Sequence, residues 1–149
     1  HRTNRVVEEA LRQGRIEGLA GYRVTPEFPY HDSRIDFLLV RGNERVLVEV
    51  KNVTLCCHPR LACFPDAVTS RGQKHLRELL RARDEGYRAV IFFLVQRGEA
   101  TAFTPADAID PVYGRLLREV VAAGVEALAC KSIVSPEENR VGEQIPILL

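Results

Sequence analysis

Three side chains in this 149-residue sequence have the types and spacing that hydrolytic metal chemistry needs: Asp36, Glu49 and Lys51. Asp36 interrupts the apolar run Ile35 to Val40, and Glu49 and Lys51 alternate with Val46, Val48 and Val50. A carboxylate beside a core costs several kcal/mol unless it is paired or bound to a cation. Side chains alternate across a strand, so Glu49 and Lys51 point the same way. The short link through Gly42 and Asn43 favours pairing of the two strands and brings Asp36 to the same sheet end. Two carboxylates offer hard oxygen ligands to Mg²⁺ or Mn²⁺, leaving positions for water and a phosphate oxygen. Such an ion offsets charge on a phosphodiester and acidifies a water molecule. Lys51 would orient or deprotonate the attacking water, or stabilise the transition state. The competing reading is structural: a Glu49–Lys51 ion pair on a solvated face, with Asp36 capping a turn near Ser33 or Arg34.

The elements that must hold these groups follow from periodicity. Val6, Val7, Ala10 and Leu11 recur at helical spacing behind an N-cap at Asn4, with Gly14 as the stop. Strand character follows at 22–28, 34–40 and 45–52, read as an antiparallel meander. The segment 55–69, with Pro59 and Pro65, lacks a period and reads as a long loop. A helix from Ser70 carries Leu76, Leu79 and Leu80 and ends at Gly86, and Ala89 to Val95 is apolar enough for a strand buried on both faces. A third helix follows Asp110 and Pro111 and ends at Gly124, then strands at 126–134 and 145–149. The order α-β-β-β-α-β-α-β predicts one mixed α/β domain over 1–149, a sheet flanked by helices.

Composition narrows the setting. An apolar fraction of 46% and a charged fraction of 28% suit one hydrophobic core. The net charge of +1 leaves the partner open, since a balanced total can hide a basic face. No apolar run spans a bilayer and no signal segment opens the chain, so no membrane partner and a cytoplasmic location are expected. The chain starts at His1 and contains no Met, which suggests a piece of a longer polypeptide. Cys56, Cys57, Cys63 and Cys130 show neither secretory context nor CxxC spacing and are expected to be reduced, with a metal or redox bond in the Cys56–Cys63 cluster as the minority reading.

An aspartate followed by Glu49-x-Lys51 in this order of elements resembles the PD-(D/E)xK nuclease superfamily. More narrowly, the chain resembles the sugar fermentation stimulation protein A (SfsA) family. The matching stretches are Asn4-Arg5, Val7 to Ala10, Ser33 to Leu39, Val48 to Leu55, the run Phe64-Pro65-Asp66-Ala67-Val68-Thr69-x-Arg71-Gly72-x-Lys74-His75-Leu76, Ala89 to Arg97 and Ile109 to Pro111. The resemblance implies a restriction-endonuclease-like fold, normally preceded by an N-terminal OB-fold-like barrel that is not expected within these 149 residues. It also implies DNA as partner and a metal-dependent activity, with a non-catalytic DNA-binding regulator of sugar (maltose) metabolism as the alternative. Related nucleases place an acidic residue on the first helix, so Glu8 or Glu9 joins Asp36 and Glu49 as a metal-ligand candidate. Thr69, Arg71, Gln73 and Lys74, with Asp66 and His75, surround a helix start suited to phosphate; Arg71 and Lys74 are the first choices for the DNA backbone. Gln96 and Arg97 either contact substrate or terminate the sheet. Self-association is left open.

Overall fold

In a computed structural model the structure describes residues 2–149. The first helix, α1 (Arg2–Arg12), buries Val6, Val7, Ala10 and Leu11 on one face. It begins before Asn4, so that residue is a helical position rather than the expected cap, and its amide is free for other work. Then come β1 (Arg23–Tyr30), β2 (Ser33–Arg41) and β3 (Glu44–Val53), an antiparallel meander as the alternation predicts. The segment expected to be a loop instead forms a hairpin, β4 (Leu55–His58) and β5 (Leu61–Phe64). Each strand is only four residues long, too short for alternation to stand out. Cys57 and Cys63 are joined by a disulfide across this hairpin, correcting the expectation of reduced thiols; Cys56 and Cys130 remain free.

The chain continues through α2 (Ser70–Asp84), β6 (Arg88–Val95), β7 (Ala102–Pro105), α3 (Pro111–Ala122), β8 (Glu126–Val134) and β9 (Asn139–Ile145). Thr69 caps α2 by accepting from the Gly72 N–H, and Asp110 caps α3 by accepting from the Tyr113 N–H, with Pro111 in the first turn. Strand β7 was not anticipated, and β9 lies mostly before the expected 145–149 strand.

The main sheet has the order β1-β2-β3-β6-β8-β9, and β4-β5-β7 form a smaller one. Strands β3, β6 and β8 run parallel at the centre, while β1, β2 and β9 are antiparallel to their neighbours. Strand β6 is buried on both faces from Ala89 to Val95, as its continuous apolar run requires. On one face Val46, Val48 and Val50 join Val90, Phe92 and Leu94 in the cluster that also contains the apolar stripe of α1. On the other, Val53, Ile91 and Phe93 pack with Leu76 and Leu79 of α2 and Leu117 and Val120 of α3. The result is a mixed α/β fold with helices on both sides of the sheet. Among the described residues no helix is long and apolar enough to cross a membrane.

Candidate active site

The site arises where the β2–β3 ladder stops. Pairing runs from Arg41–Glu44 to Phe37–Val48 and goes no further. On the other side of β2, the β1 pairing skips Glu27, whose φ is +54°, between the Pro26–Phe37 and Phe28–Ile35 pairs. Beyond Phe37 the backbone groups of β3 need new partners, because a buried unpaired N–H is costly. Side chains supply them. Asp36 Oδ2 accepts from the Val50 N–H at 2.8 Å, and Glu49 Oε1 accepts from the Asp36 N–H at 3.2 Å. This reciprocal exchange fixes both carboxylates at the parting of the strands, so Asp36 does not serve as a turn cap near Ser33 or Arg34. Asn4 of α1 completes the hold by donating Nδ2–H to Asp36 Oδ1 at 2.9 Å.

Lys51, two residues beyond Glu49 on the same side, places Nζ 3.8 Å from Glu49 Oε2, with the two side chains only 13% and 4% exposed. The structure thus brings together all three residues that the spacing singled out. Burial raises the Asp36 pKa, and the Glu49 charge adds to the rise against hydrogen bonds from Val50 and Asn4. Burial lowers the Lys51 pKa, with Glu49 and Asp36 pulling the other way. Each charge is therefore costly where it stands, a condition common at catalytic sites.

His75, on the second turn of α2, belongs to the same cluster and was not recognised as such in the sequence. Its Nδ1 lies 3.0 Å from Glu49 Oε2 and 2.6 Å from Lys51 Nζ, and the residue is 6% exposed. The available signal was its position beside Leu76 and Leu79, which places it on the flank of the stripe that meets the sheet.

The remaining candidates separate. Glu8 lines a cleft of about 380 Å³ with Asn4, Arg5, Arg34, Asp36 and Arg71, and pairs with Arg12 at 2.9 Å. Glu9 lines a different hollow with Arg2, Arg5 and Asn139, away from Asp36. Arg71 is exposed, and its charge acts on Lys51. Lys74 is exposed and lies 3.9 Å from Asp32, a weak pair. The Thr69 hydroxyl is engaged in the α2 cap, and the Gln73 amide donates to both oxygens of Asp110 at 3.1 Å. Both side chains thus have partners within the chain. Gln96 donates to Asn52 Oδ1 at 2.8 Å, and Arg97 pairs with Glu99, so these residues brace the end of the sheet.

Asp36 and Glu49 provide hard carboxylate oxygens: both Asp36 oxygens and Glu49 Oε1 accept one protein hydrogen bond each, Glu49 Oε2 has Lys51 and His75 beside it, and a carboxylate oxygen has two lone pairs. Among the described residues no group of three or more His, Cys, Asp or Glu suited to an ion occurs. Protein donors to a cation here would thus be few, as in Mg²⁺ and Mn²⁺ sites completed by water and substrate phosphate. The donor set fits that group.

Residues 1–138 match the sequence model of a family described as the sugar fermentation stimulation protein RE domain. The chain belongs to this family. A sugar fermentation stimulation protein homolog from Syntrophotalea carbinolica is 61% identical over 149 residues, covering 100% of this chain and 64% of the relative. Another, from Geobacter sulfurreducens, is 57% identical over 147 residues, covering 97% and 62%. The fold agrees: the structure of Pyrococcus furiosus SfsA in complex with Ca²⁺ superposes with a TM-score of 0.91 at 27% identity, over 99% of this chain and 64% of that one. This SfsA-family chain therefore spans somewhat under two thirds of the length of these relatives.

Proposed function

We propose that this chain is the nuclease-type domain of a DNA-binding protein that hydrolyses phosphodiester bonds with a divalent cation, Mg²⁺ or Mn²⁺. The observation that carries the reading is the reciprocal Asp36–Glu49 arrangement with Lys51 beside it, since a half-buried and a buried carboxylate with an amine at a break in a sheet are poor structure unless they serve a cation and a phosphate. Asp36 and Glu49 would hold the ion, which when bound neutralises charge on the phosphate and acidifies a water molecule. Lys51 orients the water for attack on phosphorus as the P–O bond opposite breaks, or stabilises the charge that develops. Arg5, Arg34 and Arg71, which line the cleft beside Asp36, suit the flanking phosphates and leave base identity unread. The Ca²⁺ bound by the Pyrococcus furiosus relative supports a divalent cation in this fold.

A plasmid-nicking assay with Mg²⁺ or Mn²⁺ tests the proposal on the intact protein. Wild type should nick, and Asp36→Ala and Lys51→Ala should each lose about 100-fold or more. Equal nicking by all three, or none by wild type, would sink the catalytic reading. Salt-dependent gel shifts without nicking would instead place the family's role in DNA binding and regulation.

A further inference from the structure

Lys51 has a flexible four-carbon stem and stands beside two carboxylates, yet its ammonium does not close on either. Nζ remains 3.8 Å from Glu49 Oε2, whereas a charge-assisted hydrogen bond would draw them to about 2.8 Å. What holds it is His75. The ring is buried between α2 and β3, and Nδ1 makes the shorter contact with Lys51 Nζ, 2.6 Å.

An in-plane imidazole nitrogen has a single site, either a lone pair or an N–H. Nδ1 therefore cannot accept from the Lys51 ammonium and donate to Glu49 Oε2, 3.0 Å away, at the same time. The Nδ1–Nζ contact has hydrogen-bond geometry and the Nδ1–Glu49 contact does not, and an ammonium offers donors and no acceptor, so the shorter contact is an Nζ–H donating to the Nδ1 lone pair with the ring hydrogen on Nε2. Glu49 Oε2 then faces an acceptor and receives no hydrogen bond from the ring.

We infer that His75 is a positioning residue that keeps Lys51 from collapsing onto Glu49, leaving Glu49 Oε2 available to a divalent cation. The inference deepens the proposed nuclease reading and rests on it for its catalytic meaning. Without the ring acceptor, the ammonium would pair with Glu49, neutralise the ligand and occupy the space of the ion. Lys51 would also be displaced from the water it is to orient.

The test compares His75→Leu, His75→Asn and His75→Gln in the intact protein. The Asn amide oxygen falls near the place of Nδ1, while the longer Gln carries its amide toward the place of Nε2. Mn²⁺ affinity, titrated by the loss of free-ion electron paramagnetic resonance signal, should weaken about tenfold or more in His75→Leu and His75→Gln and recover in His75→Asn. In nicking assays kcat should follow the same order at saturating Mn²⁺, with KM for plasmid unchanged. Long-range ¹⁵N spectra of the His75 ring should show an unprotonated, hydrogen-bond-accepting Nδ1 in the wild type, altered by Lys51→Met and indifferent to Lys74→Met. A protonated Nδ1, a signal unmoved by Lys51→Met, or a folded His75→Asn no better than His75→Leu overturns the inference. If the wild type nicks nothing, the nuclease reading fails while the Mn²⁺ titration and the ring spectra still decide the role of His75. Thermal melts identify any variant that fails to fold, and the wild-type ring spectra decide in that case.

Discussion

Among single residues, the carboxylates and the cysteines show how far type and spacing carry. Asp36, Glu49 and Lys51 were legible because charged residues in apolar strands violate the pattern around them, and a violation without a structural reason points to chemistry. Asn4 and His75 were not, because an amide on a helix and an imidazole beside a leucine stripe break no rule until the partner elements are placed. The cysteines were misread for a related cause: the Cys57–Cys63 disulfide depends on the β4–β5 hairpin, which spacing alone did not reveal. Their reactivity makes a residue-level prediction. Cys130 is 4% exposed, and burial pushes its thiol up to about 11, so the thiolate that alkylating reagents attack is scarce at pH 8. Iodoacetamide on the native protein should label the half-buried Cys56, leave Cys130 untouched, and reach Cys57 and Cys63 only after reduction. Peptide mass spectrometry reads all four positions. Labelling of Cys57 before reduction would contradict the disulfide.

Elements show their dependence on capping groups most clearly at Asp110, which ties the starts of two helices together. It caps α3 through the Tyr113 N–H, accepts from the Thr69 N–H before α2, and receives the Gln73 amide, all at 1% exposure. Burial works to raise its pKa, but the hydrogen bonds from Thr69, Tyr113 and Gln73 outweigh it and hold the carboxyl below the usual range. Asp110→Ala should therefore cost about 2–3 kcal/mol in urea unfolding at neutral pH, a lost cap plus stranded donors. The sign with pH follows from the lowered folded pKa. The contribution is present above about 3.9, the unfolded value, and is lost as pH falls through the folded one, so wild type and variant should converge in acid. A constant difference from pH 7 to pH 2 would show that the charge of Asp110 is immaterial. Both helix starts were legible from Thr69 or Ser70 and from Asp110-Pro111, whereas their connection through one carboxylate required the tertiary fold. The same holds for β4, β5 and β7, four-residue strands whose periodicity is too brief to read and of which β5 and β7 pair only over a long range.

For the whole molecule the decisive quantity is the cost of holding Asp36 and Glu49 together, because under the proposed metal role that cost would couple folding to cation binding. Asp36 has a folded pKa raised by burial and by Glu49, so its contribution to stability is fully present below the ordinary carboxylate value and lost as pH rises through the folded one. At neutral pH the cation-free protein carries this penalty, and under the proposed metal role a divalent ion held by the two carboxylates would offset it. Binding to the folded state alone adds about 2.7 kcal/mol when the ion is at roughly 100 times its dissociation constant. For a chain of this size that corresponds to a rise of about 5–10 °C in Tm. Differential scanning calorimetry of the intact protein in chelator and in Mn²⁺ should show that rise at pH 7.5, and Asp36→Asn or Glu49→Gln should abolish it. The gain should shrink as pH falls through the folded Asp36 pKa, because protons compete with the cation for the same oxygens. A Tm indifferent to Mn²⁺ and Mg²⁺ would mean that the paired carboxylates serve the sheet and not an ion. The hydrogen bonds from Val50 and Asn4 to Asp36, and from the Asp36 backbone to Glu49, would then be their whole purpose.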